Sequence, residues 1–171
     1  MRVAIVGNSG SGKSTLARRL AEADRLAFLE LDGIVWEPGK IAVPRAPEDI
    51  DADLRRFFDE NESWVVEGCY GELVERALPF CTELIFMNPG EATCLENNRR
   101  RPWEPHKYES AAAQASKLDY LLGWVKDYYL RDDQCSLAHH RRLFDAYSGK
   151  KREIKELLPA SGSPAPPRRA G

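Results

Sequence analysis

Residues 7–14 read Gly7-Asn8-Ser9-Gly10-Ser11-Gly12-Lys13-Ser14, a complete G-x-x-x-x-G-K-[ST] pattern, and few short stretches restrict a fold as much. Glycines at 7, 10 and 12 allow φ > 0, so the chain can curl until successive backbone N–H groups point into one concavity that suits phosphate oxygens. Lys13 adds a positive charge for the β- and γ-phosphates, and Ser14 offers a hydroxyl to a divalent cation. A helix beginning here would turn the positive end of its dipole to the same anion. The flanks agree. Arg2-Val3-Ala4-Ile5-Val6 is a short β-branched run of the kind found in buried strands. Residues 13–24 place Leu16, Ala17, Leu20 and Ala21 on one helical face. The unit reads as strand, loop, helix, which a glycine-serine linker would not explain. Gly7, Asn8, Ser9, Gly10, Ser11, Gly12, Lys13, Ser14 and Thr15 are therefore the candidate nucleotide contacts.

A chain of 171 residues with a net charge of −2 fits one domain with a single sheet covered on both faces. That charge gives no general field for nucleic acid or an anionic membrane, so direct nucleic-acid binding is not expected. Cysteines 69, 81, 94 and 135 form no C-x-x-C pair, which points to reduced thiols rather than zinc. With no leader-like start and no apolar run of about 18 residues, the expectation is a soluble, cytoplasmic protein with no membrane partner. The spacing does not address oligomeric state.

Residues 26–31 read as a second strand ending at Asp32-Gly33. In open α/β sheets ligands sit beyond the carboxyl ends of strands, which makes Asp32 a candidate to orient or deprotonate an acceptor hydroxyl; a plain Asp-Gly turn is the alternative. Residues 33–47 form a long connection before a helix over residues 48–60, and such excursions are often functional. Trp36 either stacks on substrate or anchors that loop, and Arg45, Arg55 and Arg56 read as solvated surface charges, with contact to a substrate anion as the alternative. Residues 63–67 form a third strand whose last residue, Glu67, stands where a carboxylate would hold Mg²⁺. Because Asp is usual there, direct coordination, contact through water and general-base duty all stay open. A short helix at residues 72–78 and a strand at residues 83–87 follow.

Residues 91–101 read as a helix ending in Arg99-Arg100-Arg101 before Pro102, which cannot continue it. These arginines are read as part of a lid that closes on the transferring phosphate. Residues 110–130 read as one long helix on the recurrence of Leu118, Leu121, Leu122 and Val125, with Arg131 at its end as a second phosphate-facing arginine or a cap. Ser136 caps a helix to about residue 147, on which His139 and His140 read as surface or partly buried. A last strand is expected at residues 152–157, with Gly149 and Lys150 in a loop placed to receive the nucleotide base. From Pro159 onward the composition reads as disordered tail, leaving residues 1–158 as the domain.

In these residues the chain resembles small P-loop kinases of the adenylate kinase and shikimate kinase type, and within them bacterial proteins often labelled DNA topology modulation proteins. The matching stretches are GNSGSGKST at residues 7–15, Leu31-Asp32 with Trp36 and Pro38-Gly39, and Val66-Glu67-Gly68-Cys69-Tyr70-Gly71. The arginines after the fourth strand and Gly149-Lys150-Lys151 complete the set. The resemblance implies a P-loop NTPase three-layer sandwich with a five-stranded parallel sheet in the order 2-3-1-4-5. It also implies MgATP or MgGTP on the loop, a mobile arginine lid, and an acceptor between the second and third strands. Glu67 and Cys69 depart from the Asp and Asn of the pattern, and the Pro-Arg pair of nucleoside monophosphate kinases is missing. The expected activity is transfer of a γ-phosphate to a small-molecule hydroxyl; the competing reading is a nucleotide-binding regulator acting through a partner.

Overall fold

Strand β1 (Arg2–Gly7) is buried from Val3 onward, as a strand covered on both faces must be. It lies at the centre of a five-stranded sheet of order β2-β3-β1-β4-β5, with β2 at Ala27–Glu30, β3 at Trp64–Gly68, β4 at Glu83–Met87 and β5 at Lys150–Ile154. All four pairings are parallel. The sheet is thus of the P-loop NTPase type and in the strand order that the resemblance implies. The computed structural model describes residues 1–37, 43–105 and 108–156. Pro38-Gly39 and the tail from residue 159 lie outside the described residues.

Alternation along the strands divides the core in two. Ala4 and Val6 join Trp64, Val66, Leu84 and Phe86 on one face, which is closed by helices α3 (Pro47–Glu60), α4 (Gly71–Ala77) and α8 (Leu137–Ala146). Val3 and Ile5 join Val65, Ile85 and Met87 on the other, under Leu16 and Ala17 of helix α1 (Lys13–Asp24). Helix α1 stops where Arg25 takes a left-handed conformation at φ 54° and returns its N–H to Ala21. A smaller apolar cluster joins Cys94 and Leu95 of helix α5 (Glu91–Arg99) to Val125.

Four expectations are corrected. Asp32 opens a single helical turn, α2 (Asp32–Val35), rather than a loop. Helix α5 ends at Arg99, so Arg100 and Arg101 lie beyond its last turn. The long helix of residues 110–130 is two, α6 (Ala111–Ser116) and α7 (Leu118–Asp127), separated by Lys117. There the Ser116 hydroxyl donates to the Ala113 carbonyl at 2.8 Å and the Lys117 N–H turns to Gln114, the tighter bonding that ends an α-helix. Strand β5 starts two residues before its expected position.

Candidate active site

The loop between β1 and α1 is held from below by its own residues. Asn8 is buried, donates from Nδ2 to the Val125 carbonyl at 2.9 Å and accepts the Ser9 N–H at 2.8 Å. Gly10 has φ +75°, and a Cβ there would lie 2.4 Å from both the Asn98 amide nitrogen and the Cys94 carbonyl, so only glycine fits. Asn97 donates to the Gly10 carbonyl at 2.7 Å, and Ser9 donates to Asn98 at 3.1 Å. Helix α5 therefore buttresses the loop through two asparagines that the spacing did not single out. Lys13 is buried, and its ammonium donates to the Asn8 carbonyl at 2.9 Å.

Parallel pairing sets Val6, Gly68 and Phe86 side by side at the carboxyl end of the sheet, with Gly7 beside Met87 one residue further on. At that end Glu67 is almost wholly buried and accepts the Ser14 hydroxyl at 2.6 Å. Burial raises its carboxyl above the ordinary range, while the Lys13 charge and the Ser14 hydrogen bond oppose the rise. Ser14 and Glu67 thus bring two hard oxygen donors together. That donor set fits Mg²⁺, which takes only one or two protein ligands and fills its octahedron with water and phosphate. Among the described residues no group of three His, Cys, Asp or Glu side chains could hold a metal.

A cavity of about 670 Å³ opens above the loop, lined among others by Lys13, Ser14, Thr15, Asp32, Glu67 and Arg101. Also in its wall, Asp32 accepts the Tyr70 hydroxyl at 2.6 Å, and Tyr70 in turn accepts the Trp36 indole N–H at 3.1 Å. Burial, then the charge of Asp32, pushes the phenol well above its ordinary range, so Tyr70 stays a neutral donor. Trp36 is therefore anchored into this chain through its indole nitrogen. Local pattern could not have paired Tyr70 with Asp32, since the two lie on different segments.

The remaining candidates separate. Arg100 and Arg101 line the cavity; Arg101 reaches Ser9 at 3.4 Å and Glu104 at 3.5 Å, while Arg100 pairs with Glu96 at 2.6 Å. Arg99 is not among the lining residues and has Glu96 at 3.9 Å. Arg131 sits over Trp124, its guanidinium carbon 3.9 Å from the ring centre, and donates to the Cys135 carbonyl at 2.6 Å, and it is not among the residues that line the cavity. Gly149 and Lys150 are also displaced. Lys150 pairs in register with Glu83 and its ammonium holds that carboxylate at 2.8 Å, at the amino end of the sheet. Over the length of β5 the separation from the loop's end is about 13 Å, at roughly 3.3 Å per residue. His140 is buried rather than at the surface, between the Tyr128 hydroxyl at Nδ1 and the Cys69 carbonyl at Nε2, each at 2.9 Å. Since the carbonyl can only accept, Nε2 carries the proton and Nδ1 accepts from Tyr128. Burial pulls this imidazole down to about 3, so it is neutral.

A family model described as an AAA domain matches residues 3–119, a span that holds the loop, Asp32, Glu67 and the arginines after α5. The chain belongs to the AAA domain family. Among solved structures, this AAA domain is similar to the shikimate kinase from Acinetobacter baumannii in complex with shikimate, at 16% identity over 92% of this chain and 84% of that one, with a TM-score of 0.48. It is also similar to the shikimate kinase from Aquifex aeolicus vf5 at 20% identity, over 93% and 88% of the two chains, with a TM-score of 0.49. A gluconokinase from Sinorhizobium meliloti 1021 matches at 19% identity over 83% and 92%, with a TM-score of 0.41. No curated protein matches this AAA domain.

Proposed function

We propose that the protein is an ATP-dependent phosphotransferase that passes the γ-phosphoryl group to a hydroxyl of a small molecule. One observation carries this reading: Lys13, Ser14, Glu67 and Asp32 line a single cavity. A protein that only bound nucleotide would need the first three and not Asp32. Membership of the AAA domain family supports the nucleotide half. The backbone N–H groups of the loop and the Lys13 ammonium bind the phosphates, of ATP or GTP. Ser14 and Glu67 would hold Mg²⁺, which supplies charge neutralisation at the phosphates when bound. Asp32, held in place by Tyr70, takes the proton of the attacking hydroxyl as its oxygen bonds to the γ-phosphorus and the bond to the leaving nucleoside diphosphate breaks. Arg101, with Arg100 beside it, offsets the charge that spreads over the transferring group.

The missing Pro-Arg pair disfavours a nucleotide acceptor and leaves a non-nucleotide hydroxyl compound. The closer likeness to DNA topology modulation proteins rests on short motifs, and we take it as a lineage rather than a chemistry. We assign the protein to the cytoplasm; no helix among the described residues is long and apolar enough to cross a membrane.

The test is incubation of the protein, beside Lys13→Ala, with γ-labelled ATP and a metabolite extract. A labelled small molecule formed by the wild type and not by the variant is expected. Label recovered only in free phosphate, or left on ATP, overturns the proposal in favour of a nucleotide-binding regulator.

A further inference from the structure

The segment that follows α5 is fixed by one side chain. Gln114 of α6 accepts the Glu104 N–H at 2.9 Å through Oε1, and from Nε2 it donates to the Pro102 carbonyl at 3.1 Å and the Arg101 carbonyl at 3.5 Å. A side-chain amide carries donor and acceptor on one planar end, so a single glutamine can satisfy both kinds of backbone group. The Glu104 carbonyl accepts the Tyr108 N–H at 3.0 Å, and the Arg101 guanidinium reaches Ser9 of the phosphate loop at 3.4 Å. Trp103 rides on this braced segment. Its indole N–H donates to the Tyr108 carbonyl at 3.0 Å, yet the residue is 47% exposed and lines the cavity. Among the described residues, none of the other exposed large apolar side chains, such as Trp36, Phe80, Tyr120 and Leu130, lines it. An indole whose one polar group is already bonded has only its flat apolar face to offer a ligand.

We propose that Trp103 determines specificity as the stacking face for a neutral cyclic polyol, and that Gln114 is the residue that positions it. A saturated ring presents C–H groups on its faces and hydroxyls at its rim. The faces suit an indole, and the hydroxyls suit carboxylates and guanidinium groups, both of which line the cavity with Trp103 in Asp32, Glu30 and Arg18. The ring is neutral because the arginines already share their charge. Arg18 lies 3.7 Å from Glu30, Arg100 2.6 Å from Glu96 and Arg101 3.5 Å from Glu104, so a ligand carboxylate would have to displace one of these partners.

A nucleobase suits the position less well. Trp103 is two residues from Arg101, which the phosphotransferase reading sets beside the transferring group, whereas two phosphates and a ribose separate a base from the γ-phosphorus. That the ring is the phosphoryl acceptor rests on that reading; its binding at Trp103 is measured without any transfer.

The full-length protein, Trp103→Phe, Trp103→Ala and Gln114→Leu, each shown to be folded by circular dichroism, are titrated calorimetrically with myo-inositol and neutral pyranoses. Glucuronic acid serves as the acidic ring and sorbitol as the open chain. Expected is binding of a neutral ring to the wild type and to Trp103→Phe, with affinity lower by about tenfold in Trp103→Ala, the upper scale of an aromatic stack. Gln114→Leu keeps the indole and loses a similar factor, while affinity for ATP stays the same in all variants, a split that general destabilisation would not produce. No neutral ring bound, equal affinity in Trp103→Ala, or preference for glucuronic acid or sorbitol overturns the proposal, and unchanged affinity in Gln114→Leu overturns the positioning. A loss in Trp103→Ala of affinity for ATP but not for inorganic tripolyphosphate also overturns it, since a nucleobase then occupies the indole. A ring that binds in the expected way but takes no label from γ-labelled ATP counts against the phosphotransferase reading and leaves the Trp103 site standing, so the two failures are told apart.

Discussion

The hydroxyl of Ser14 donates to Glu67 Oε1 across 2.6 Å and so joins the first turn of α1 to the end of β3. Two segments far apart in sequence contribute one oxygen each to the same point. If that point holds Mg²⁺, Glu67→Gln keeps the shape and one acceptor but loses the charge. The half-saturating Mg²⁺ concentration for transfer then rises by roughly 10- to 100-fold, a range typical for weakened metal sites. A magnesium titration of activity checks this, and an unchanged curve would place Glu67 outside the metal site.

Lys13 is the buried cation of the loop. Lys13→Ala removes a charge-assisted contact of about 1.5–3 kcal/mol, so affinity for nucleoside triphosphate falls by roughly tenfold to a hundredfold. Calorimetric titration measures it, with circular dichroism to show that the fold survives.

Asp32 lines the same cavity and is held by Tyr70. Asp32→Ala lowers the transfer rate by about 10² to 10⁴, the usual contribution of a positioned base, and leaves the dissociation constant for ATP unchanged. Tyr70→Phe keeps the ring and removes the hydrogen bond to Asp32 together with the one accepted from the Trp36 indole. Its kcat falls by less, about tenfold, with KM for ATP constant. Loss of ATP binding in either variant would contradict this division of labour.

The two arginines that the pattern treated alike should part company. Arg101→Ala lowers kcat, because this side chain reaches Ser9 over the cavity. Arg131→Ala leaves kinetics alone and lowers stability by about 1–2 kcal/mol through loss of the Trp124 stack and the Cys135 carbonyl bond. Urea unfolding and steady-state rates on both variants decide it.

His140 makes stability depend on pH. In the unfolded chain its imidazole takes a proton near 6.5, whereas burial in the folded chain delays this to about 3. The unfolded state therefore binds more protons below about 6.5, and the contribution of neutral His140 is complete above that value. It is lost as pH falls from about 6.5 toward 3, by up to about 1.4 kcal/mol per unit. Urea midpoints at pH 7.5 and 5 should differ in that direction, and His140→Asn should flatten the difference.

Strands β1, β3 and β4 were readable because a strand buried on both faces must be largely apolar, and here the buried charges Glu67 and Glu83 fall only toward the strand ends. Strand β5 was not, since it is a sheet edge and carries Lys150, Lys151 and Arg152 where a buried strand would carry valine. Such charges hinder pairing with another edge, and they hide the strand from an apolar pattern. The same strand displaces the expected base-binding loop. In a parallel sheet every helix-to-strand connection returns to the amino end, so Gly149 and Lys150 had to lie opposite the phosphate loop. The loop, Asp32 and Glu67 were visible because each stands at the end of a strand. Tyr70 with Asp32 and Asn8 with Val125 left no local trace, because each pairing exists only after the chain has folded.

The Lys13 ammonium rests on the carbonyl of Asn8, which also accepts the N–H of Ser11. An incoming phosphate competes with an internal dipole for that ammonium, and when it draws the charge away the carbonyl is left with the Ser11 N–H alone. Asn8 is at the same time tied by its side chain to the Val125 carbonyl in the last turn of α7. One residue thus touches the loop's lysine through its carbonyl and α7 through its amide, so a shift of the loop at Asn8 would have to break that tie or carry it along.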